Sequence, residues 1–223
     1  MTVDRREQRM KKGAVSLLFL ILLAGLVAFP VTGSHALTLS VGDVITFQDG
    51  LGPSPGGSFQ VYKDGQFAYN SFCLETNEYI SFNTQYRVVG ISDTVYQGGS
   101  NTSSGDPLDP RTAYLYYHYM IGDLSQLASS FDPTSSASLG DLQNAIWYIE
   151  QEYLGVNNYL VALADRSGWT DIGPVRVLNI KTLNGGNAQD QLYYAAVPEP
   201  ATLLLLGCGL AGLITFRRKN PRG

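Results

Sequence analysis

Two mainly apolar stretches, residues 14–31 and 201–216, stand at the ends of the chain, and between them the apolar positions change period twice. Over 37–47 "LTLSVGDVITF" alternates apolar with polar residues, the period of two that predicts a half-buried strand. "GPSPGG" at 52–57 breaks the pattern and reads as a loop. In "SFQVYKDGQFAYNSFCLE" two β-prone runs flank Lys63-Asp64-Gly65, a hairpin signal of the Asp-Gly kind. Strict alternation along the second run puts Phe67, Tyr69 and Ser71 on one face and Ala68, Asn70 and Phe72 on the other, with Cys73 at or just beyond the strand end. "YRVVGISDTVYQ" predicts a strand pair or one long bent strand, and 98–109 is a polar loop.

The period then lengthens. In "DPRTAYLYYHYMIGDL" Ala113, Tyr116, Tyr117, Met120 and Leu124 recur at helical spacing, with Asp109 as cap and Pro110 at the first position. "SLGDLQNAIWYIEQEYLG" places Leu139, Leu142, Ile146, Ile149 and Tyr153 on one stripe, with Gly155 as a stop, and a short third helix is expected over 158–165. "VRVLNIKTL" and "AQDQLYYAAV" around Asn184-Gly185-Gly186-Asn187 close the pattern as a final hairpin. The expected fold class is α+β: a β-rich, sandwich or barrel-like domain with an inserted helical section. "YYHY" at 116–119 reads as an amphipathic core face in preference to an aromatic sugar platform.

The two end segments are targeting signals, not fold. Arg5, Arg6, Arg9, Lys11 and Lys12 precede the first apolar stretch, and Ser34-His35-Ala36 offers small residues for a signal peptidase, so residues 1–36 read as a signal peptide cut after Ala36. An uncleaved signal anchor is the other reading. The second apolar stretch is 16 residues long, about 24 Å of helix against about 30 Å of hydrocarbon, which makes it a marginal span. Arg217, Arg218 and Lys219 hold its far end in the cytoplasm and leave everything upstream outside. Pro198 and Pro200 around Glu199 keep the preceding segment extended and open to processing. The order of Pro-Glu-Pro, short apolar helix and cation cluster over 197–223 resembles the PEP-CTERM sorting signal. That resemblance implies an exosortase-type enzyme as partner, a membrane-anchored precursor, and release to the cell surface or extracellular matrix; an ordinary tail anchor is the alternative.

Removing both signals leaves residues 37–196, enough for one domain with a sizeable core. In it sixteen Asp and Glu stand against six Lys and Arg, a net charge of −10 that the whole-chain value of −4 hides. Such a surface repels nucleic acid, which rewards clustered cations. Cys208 lies in the apolar tail, so Cys73 is alone in the exported domain and has no internal disulfide partner. A buried apolar filler, a bridge to another chain and a reactive group are the three roles open to it.

Cys73 stands in "FCLE", and 70 residues on, in the first turns of the clearest helix, stands "LQNAIW". Phe72, Cys73, Leu74 and Glu75, with Leu142, Gln143, Ile146 and Trp147, resemble the two signature motifs of the thioester domains on surface adhesins of Gram-positive bacteria. The resemblance implies an internal thioester between Cys73 and Gln143, with no cofactor, and covalent attachment to an unknown surface protein or polysaccharide by single-turnover chemistry instead of enzymatic turnover. It also implies that Leu74, Leu142, Ile146 and Trp147 keep water away. Other chemistry is thin. His118 is the only histidine left, which disfavours a histidine-rich metal site or a Ser-His-Asp hydrolase. Asp106 and Asp109 lack EF-hand spacing, and Asn101 opens a sequon in a loop rich in such residues. A non-covalent polysaccharide-binding module, and an acidic glycosidase using two of Glu75, Glu150 and Glu152, are the alternatives from other classes. The tail makes its own prediction: replacing Pro198 and Glu199 with alanine traps a full-length membrane form in cells with an active sorting enzyme. Fractionation and intact mass of the wild type should in contrast find residues 201–216 removed.

Overall fold

The computed structural model describes residues 37–53, 56–98 and 103–195. The expected signal peptide over 1–36, Asn101, and the tail with Pro198, Glu199, Pro200, Arg217, Arg218 and Lys219 lie outside the described residues. Among those described, six antiparallel strands form one sheet: β1 (Val44–Asp49), β2 (Phe59–Lys63), β3 (Gln66–Ser71), β4 (Gln85–Ser92), β5 (Val175–Thr182) and β6 (Gln191–Tyr194). Their spatial order is β3-β2-β1-β4-β5-β6. Between β4 and β5 run α1 (Pro110–Ile121), α2 (Leu124–Leu127), α3 (Ser136–Ile149) and α4 (Tyr159–Arg166). The inserted helical section is therefore as expected.

The sheet curls until its two ends meet. Past β3 the chain continues alongside β6: Leu192 N–H donates to Phe72 O at 3.0 Å, Leu74 N–H donates to Asp190 O at 3.2 Å, and Cys73 stands opposite Gln191. The result is a half-barrel and not a pair of stacked sheets. Two bulges supply the curvature. Val61 pairs with Tyr69 and Tyr62 with Phe67, leaving Ala68 unpaired; Val88 pairs with Ile180 and Gly90 with Asn179, leaving Val89 unpaired. The first bulge corrects the alternation read from sequence: Phe67 is half exposed while Ala68 and Tyr69 are both buried. The second makes "YRVVGIS" one bent strand, and Gly90 is needed there, because a Cβ would stand 2.8 Å from Asn179 Oδ1.

Local chemistry explains most of the remaining boundaries. Asp64 and Gly65 both have positive φ (53° and 74°), the backbone an Asp-Gly hairpin demands. β1 begins at Val44 and not at 37, because Ser40 and Asp43 bond each other across a turn at Gly42: Ser40 N–H donates to Asp43 Oδ2 at 2.7 Å and Asp43 N–H to Ser40 O at 3.1 Å. The Asp109 carboxylate caps α1 through Arg111 N–H at 2.8 Å, with Pro110 following it, and Asn158 caps α4. α3 ends at Ile149, short of Gly155, where Gln151 turns left-handed (φ 62°). Tyr153 thereby leaves the stripe and is 63% exposed, while Leu139, Leu142, Ile146 and Ile149 stay buried.

Two apolar cores result. Ile45, Phe47, Val61, Tyr69, Val88 and Ile180 fill the inside of the curl. Leu115, Tyr116, Leu142, Ile146, Leu160 and Phe72 form the helical core against the outer face of β5 and β6, through Val175, Val177 and Leu192. β5 is thus buried on both sides, odd positions facing helices and even positions the curl. Tyr116, fully buried, donates to Asn70 O at 2.9 Å and fastens α1 to the end of β3, so that tyrosine of the "YYHY" run is a core residue. Asp109→Ala should cost about 1 kcal/mol in urea denaturation, most of it the lost cap, because the accompanying Arg111 pair is partly exposed. Asp109→Asn, which keeps an acceptor, should recover most of that stability.

Candidate functional site

Cys73 belongs to neither apolar core, although it is only 2% exposed. Because Phe72 and Leu74 use their backbones to close the seam with β6, the N–H and C=O of Cys73 point the other way. Gln143 meets both. Its Oε1 accepts from Cys73 N–H at 3.1 Å, its Nε2 donates to Cys73 O at 2.8 Å, and Cys73 Sγ lies 3.3 Å from the same Oε1. Gln143 is the eighth residue of α3, deeper in the helix than its first turns, and fully buried. A seam of the sheet and the middle of a helix, 70 residues apart in the chain, therefore hold thiol and carboxamide together away from water.

The motif neighbours divide. Phe72, Leu74, Leu142 and Ile146 are all buried in the helical core and hold the two elements in place. Trp147, one turn after Gln143, is the neighbour that reaches the cleft opening on Cys73. That cleft has a volume of about 310 Å³, and its walls include Gly56, Phe59, Tyr79, Phe82 and Tyr153. Sequence reading missed these residues. The base of the loop between β1 and β2 is closed by Gly50 N–H to Ser58 O (3.1 Å) and Ser58 N–H to Leu51 O (2.9 Å), and its Pro53 and Gly56 lie against α3. A Cβ on Gly140 would lie 2.7 Å from Pro53 Cδ, and one on Gly56 would lie 3.4 Å from the Trp147 ring and 3.5 Å from Gln143 Cγ. The one trace of this in the sequence was the glycine- and proline-rich composition of 52–57, since bare backbone is what permits so close an approach.

Beneath the cysteine lies a cluster of buried acids. Glu75, 1% exposed, accepts from Asp190 N–H at 2.9 Å through Oε2, while its Oε1 has no partner. Asp190 accepts from Tyr96 N–H (2.7 Å), Asn179 Nδ2 (2.8 Å) and Ile180 N–H (3.2 Å), replacing ladder bonds where β6 is shorter than the expected strand. Burial first, then the Asp190 charge, pushes Glu75 up to about 9. Burial likewise raises Asp190 to about 6 and Glu150 to about 8. The Cys73 thiol is pushed well above its ordinary value by burial and by the charges of Glu75 and Glu152, against which its own backbone and the Trp147 N–H act in the opposite sense. Glu75, Glu150 and Glu152 are each engaged with backbone, at Asp190, Asp109 and Thr76 respectively, and none lines the cleft. Asp109 is occupied as the α1 cap, and among the described residues no three His, Cys, Asp or Glu side chains group as a metal requires.

The family model described as the PEP-CTERM protein-sorting motif matches residues 196–219. A chain carrying it is an exosortase-sorted, exported protein whose precursor is anchored at the cell envelope. Among the described residues no helix is long and apolar enough to cross a membrane; the apolar segment 201–216 lies outside them. No curated protein and no solved structure is significantly similar to the chain. The buried acids make a signed prediction. All three hold protons in the folded state that the unfolded chain releases near pH 4, so folding is most favoured at the acid end and weakens as pH rises from about 4 towards 9. Urea midpoints should fall across that window, and Glu75→Gln, which mimics the protonated acid, should flatten the upper part of the decline.

Proposed function

We propose that this exported protein attaches itself covalently to a partner at the cell surface or in the matrix, through a thioester between Cys73 and Gln143. The observation that carries the reading is the reciprocal pair of hydrogen bonds that holds the Gln143 carboxamide against Cys73, with Sγ at 3.3 Å from Oε1. Sulfur attacks Cδ of Gln143 and forms the S–C bond. The electron pair of the carbonyl moves onto Oε1, where the Cys73 N–H already donates at 3.1 Å and stabilises the developing charge. Collapse of that intermediate breaks the C–N bond; the thiol proton leaves with nitrogen as ammonia.

The acyl–sulfur bond stores reactivity, because thiolate is a far better leaving group than amide nitrogen. An amine or hydroxyl that enters the cleft attacks the same carbonyl, forms an amide or ester on the Gln143 side chain, and returns the thiol to Cys73. Holding the groups in one geometry supplies a large effective molarity. The cleft above Cys73 gives such a nucleophile a route, while Pro53, Gly56 and Trp147 in its walls restrict water.

A second reading rests on the same bonds: a fully buried carboxamide that satisfies both polar groups of Cys73 is also a structural strut, and the protein would then hold its partner without a covalent link. Intact mass separates the two. The thioester reading expects the wild type to be lighter than its sequence by about 17 Da, one ammonia, and expects methylamine to open the bond. Cys73→Ala and Gln143→Ala should show neither effect. A wild type of full mass with a thiol that titrates after denaturation leaves only the strut.

A further inference from the structure

We propose that the indole N–H of Trp147 is the hydrogen-bond donor that carries the sulfur of Cys73 as thiolate, when it attacks Gln143 and again when a partner nucleophile expels it. The inference rests on the thioester reading and adds to it a catalytic residue. Trp147 is only 4% exposed, and its Nε1 meets no acceptor at hydrogen-bonding geometry. Burying an indole N–H without a partner is unfavourable, and a native structure tolerates it where the donor has another task. Trp147 follows Gln143 by four residues, so the two side chains leave α3 on the same face, and Trp147 shares the wall of the cleft with Cys73. Gly56 lies beside the far edge of the ring, where an added Cβ would stand 3.4 Å from Cη2 and Cζ3.

The need for such a donor follows from the surroundings of the sulfur. Cys73 N–H is engaged by Gln143 Oε1, so it serves the carbonyl oxygen and not the thiolate. Glu152 lies where negative charge opposes a thiolate, and burial removes the water that would otherwise solvate it. A neutral N–H suits the site: it stabilises the anion by a charge-assisted bond without adding a competing acid or base. In formation the Trp147 N–H stabilises the attacking sulfur as the thiol proton passes to the Gln143 nitrogen, which leaves as ammonia. In cleavage it stabilises the departing thiolate until that sulfur takes the proton of the attacking amine or hydroxyl, which balances the step. Trp147 keeps its proton throughout.

The test compares methylamine opening of the thioester, followed by intact mass, in the wild type, Trp147→Phe, and protein carrying benzothienylalanine at 147. The last replaces N–H by sulfur in a ring of nearly the same shape, so packing is retained. Losing one hydrogen bond to a charged sulfur should slow opening roughly tenfold to a hundredfold in both variants. A variant that folds, as near-ultraviolet circular dichroism would report, yet retains full mass supports the proposal equally, because the bond then fails to form. Opening of the benzothienylalanine protein within twofold of the wild-type rate overturns it and leaves the thioester intact as a reading. A wild type with no mass deficit overturns both.

Discussion

Everything at the site depends on one constraint: the backbone N–H and C=O of Cys73 are buried and turned away from the sheet, and the side-chain amide of Gln143 is what satisfies them. Leaving either group unpaired would cost about 1–3 kcal/mol. The amide fits because it presents an acceptor and a donor side by side, as the next strand of a ladder would. α3 must therefore approach the seam closely enough for a side chain to act as backbone. That requirement brings the thiol and the carboxamide into contact.

The half-barrel and the helical insertion supply this approach from opposite sides. The seam between the end of β3 and β6 sets the direction of Cys73, because Phe72 and Leu74 spend their own polar groups on Leu192 and Asp190. Helices α1, α3 and α4 pack on the outer face of β5 and β6 with Leu142 and Ile146 directed into the core, which leaves Gln143 and Trp147 facing the seam. Tyr116 and Phe72, with rings 6.3 Å apart and edge to face, tie the two halves at this point. From the β1–β2 connection, Pro53 then lies against Gly140 and Gly56 against Trp147 and Gln143.

The acids beneath the site are a cost that the architecture accepts. Glu75 and Asp190 are held largely in backbone hydrogen bonds, and those bonds take the place of strand pairing where β6 is short. Burial keeps Glu75 protonated well above the ordinary carboxylate range, so the cluster acts more as a set of acceptors than as a set of charges. The acidic surface is a separate matter, set by exposed Asp and Glu, and suits a protein that must stay soluble after export.

What the sequence by itself determined are the features governed by residues a few positions apart: the Asp64-Gly65 turn, the caps at Asp109 and Asn158, the inserted helices and the sorting motif at 196–219. Each follows from local sterics or from polar groups that a neighbour must satisfy. The pairing of Cys73 with Gln143 was legible only because two short motifs occurred together in a domain with one cysteine, and the folded chain brings those two side chains into contact. Other features were decided by tertiary structure alone. The bulges at Ala68 and Val89 moved side chains between faces, α3 stopped before Tyr153, Pro53 came against Gly140, and Trp147 separated from Leu142 and Ile146 to face the cleft. These depend on strand register and sheet curvature, which are settled by contacts between segments far apart in the chain. Periodicity cannot foresee them, because one unpaired residue in a strand reverses every face that follows it.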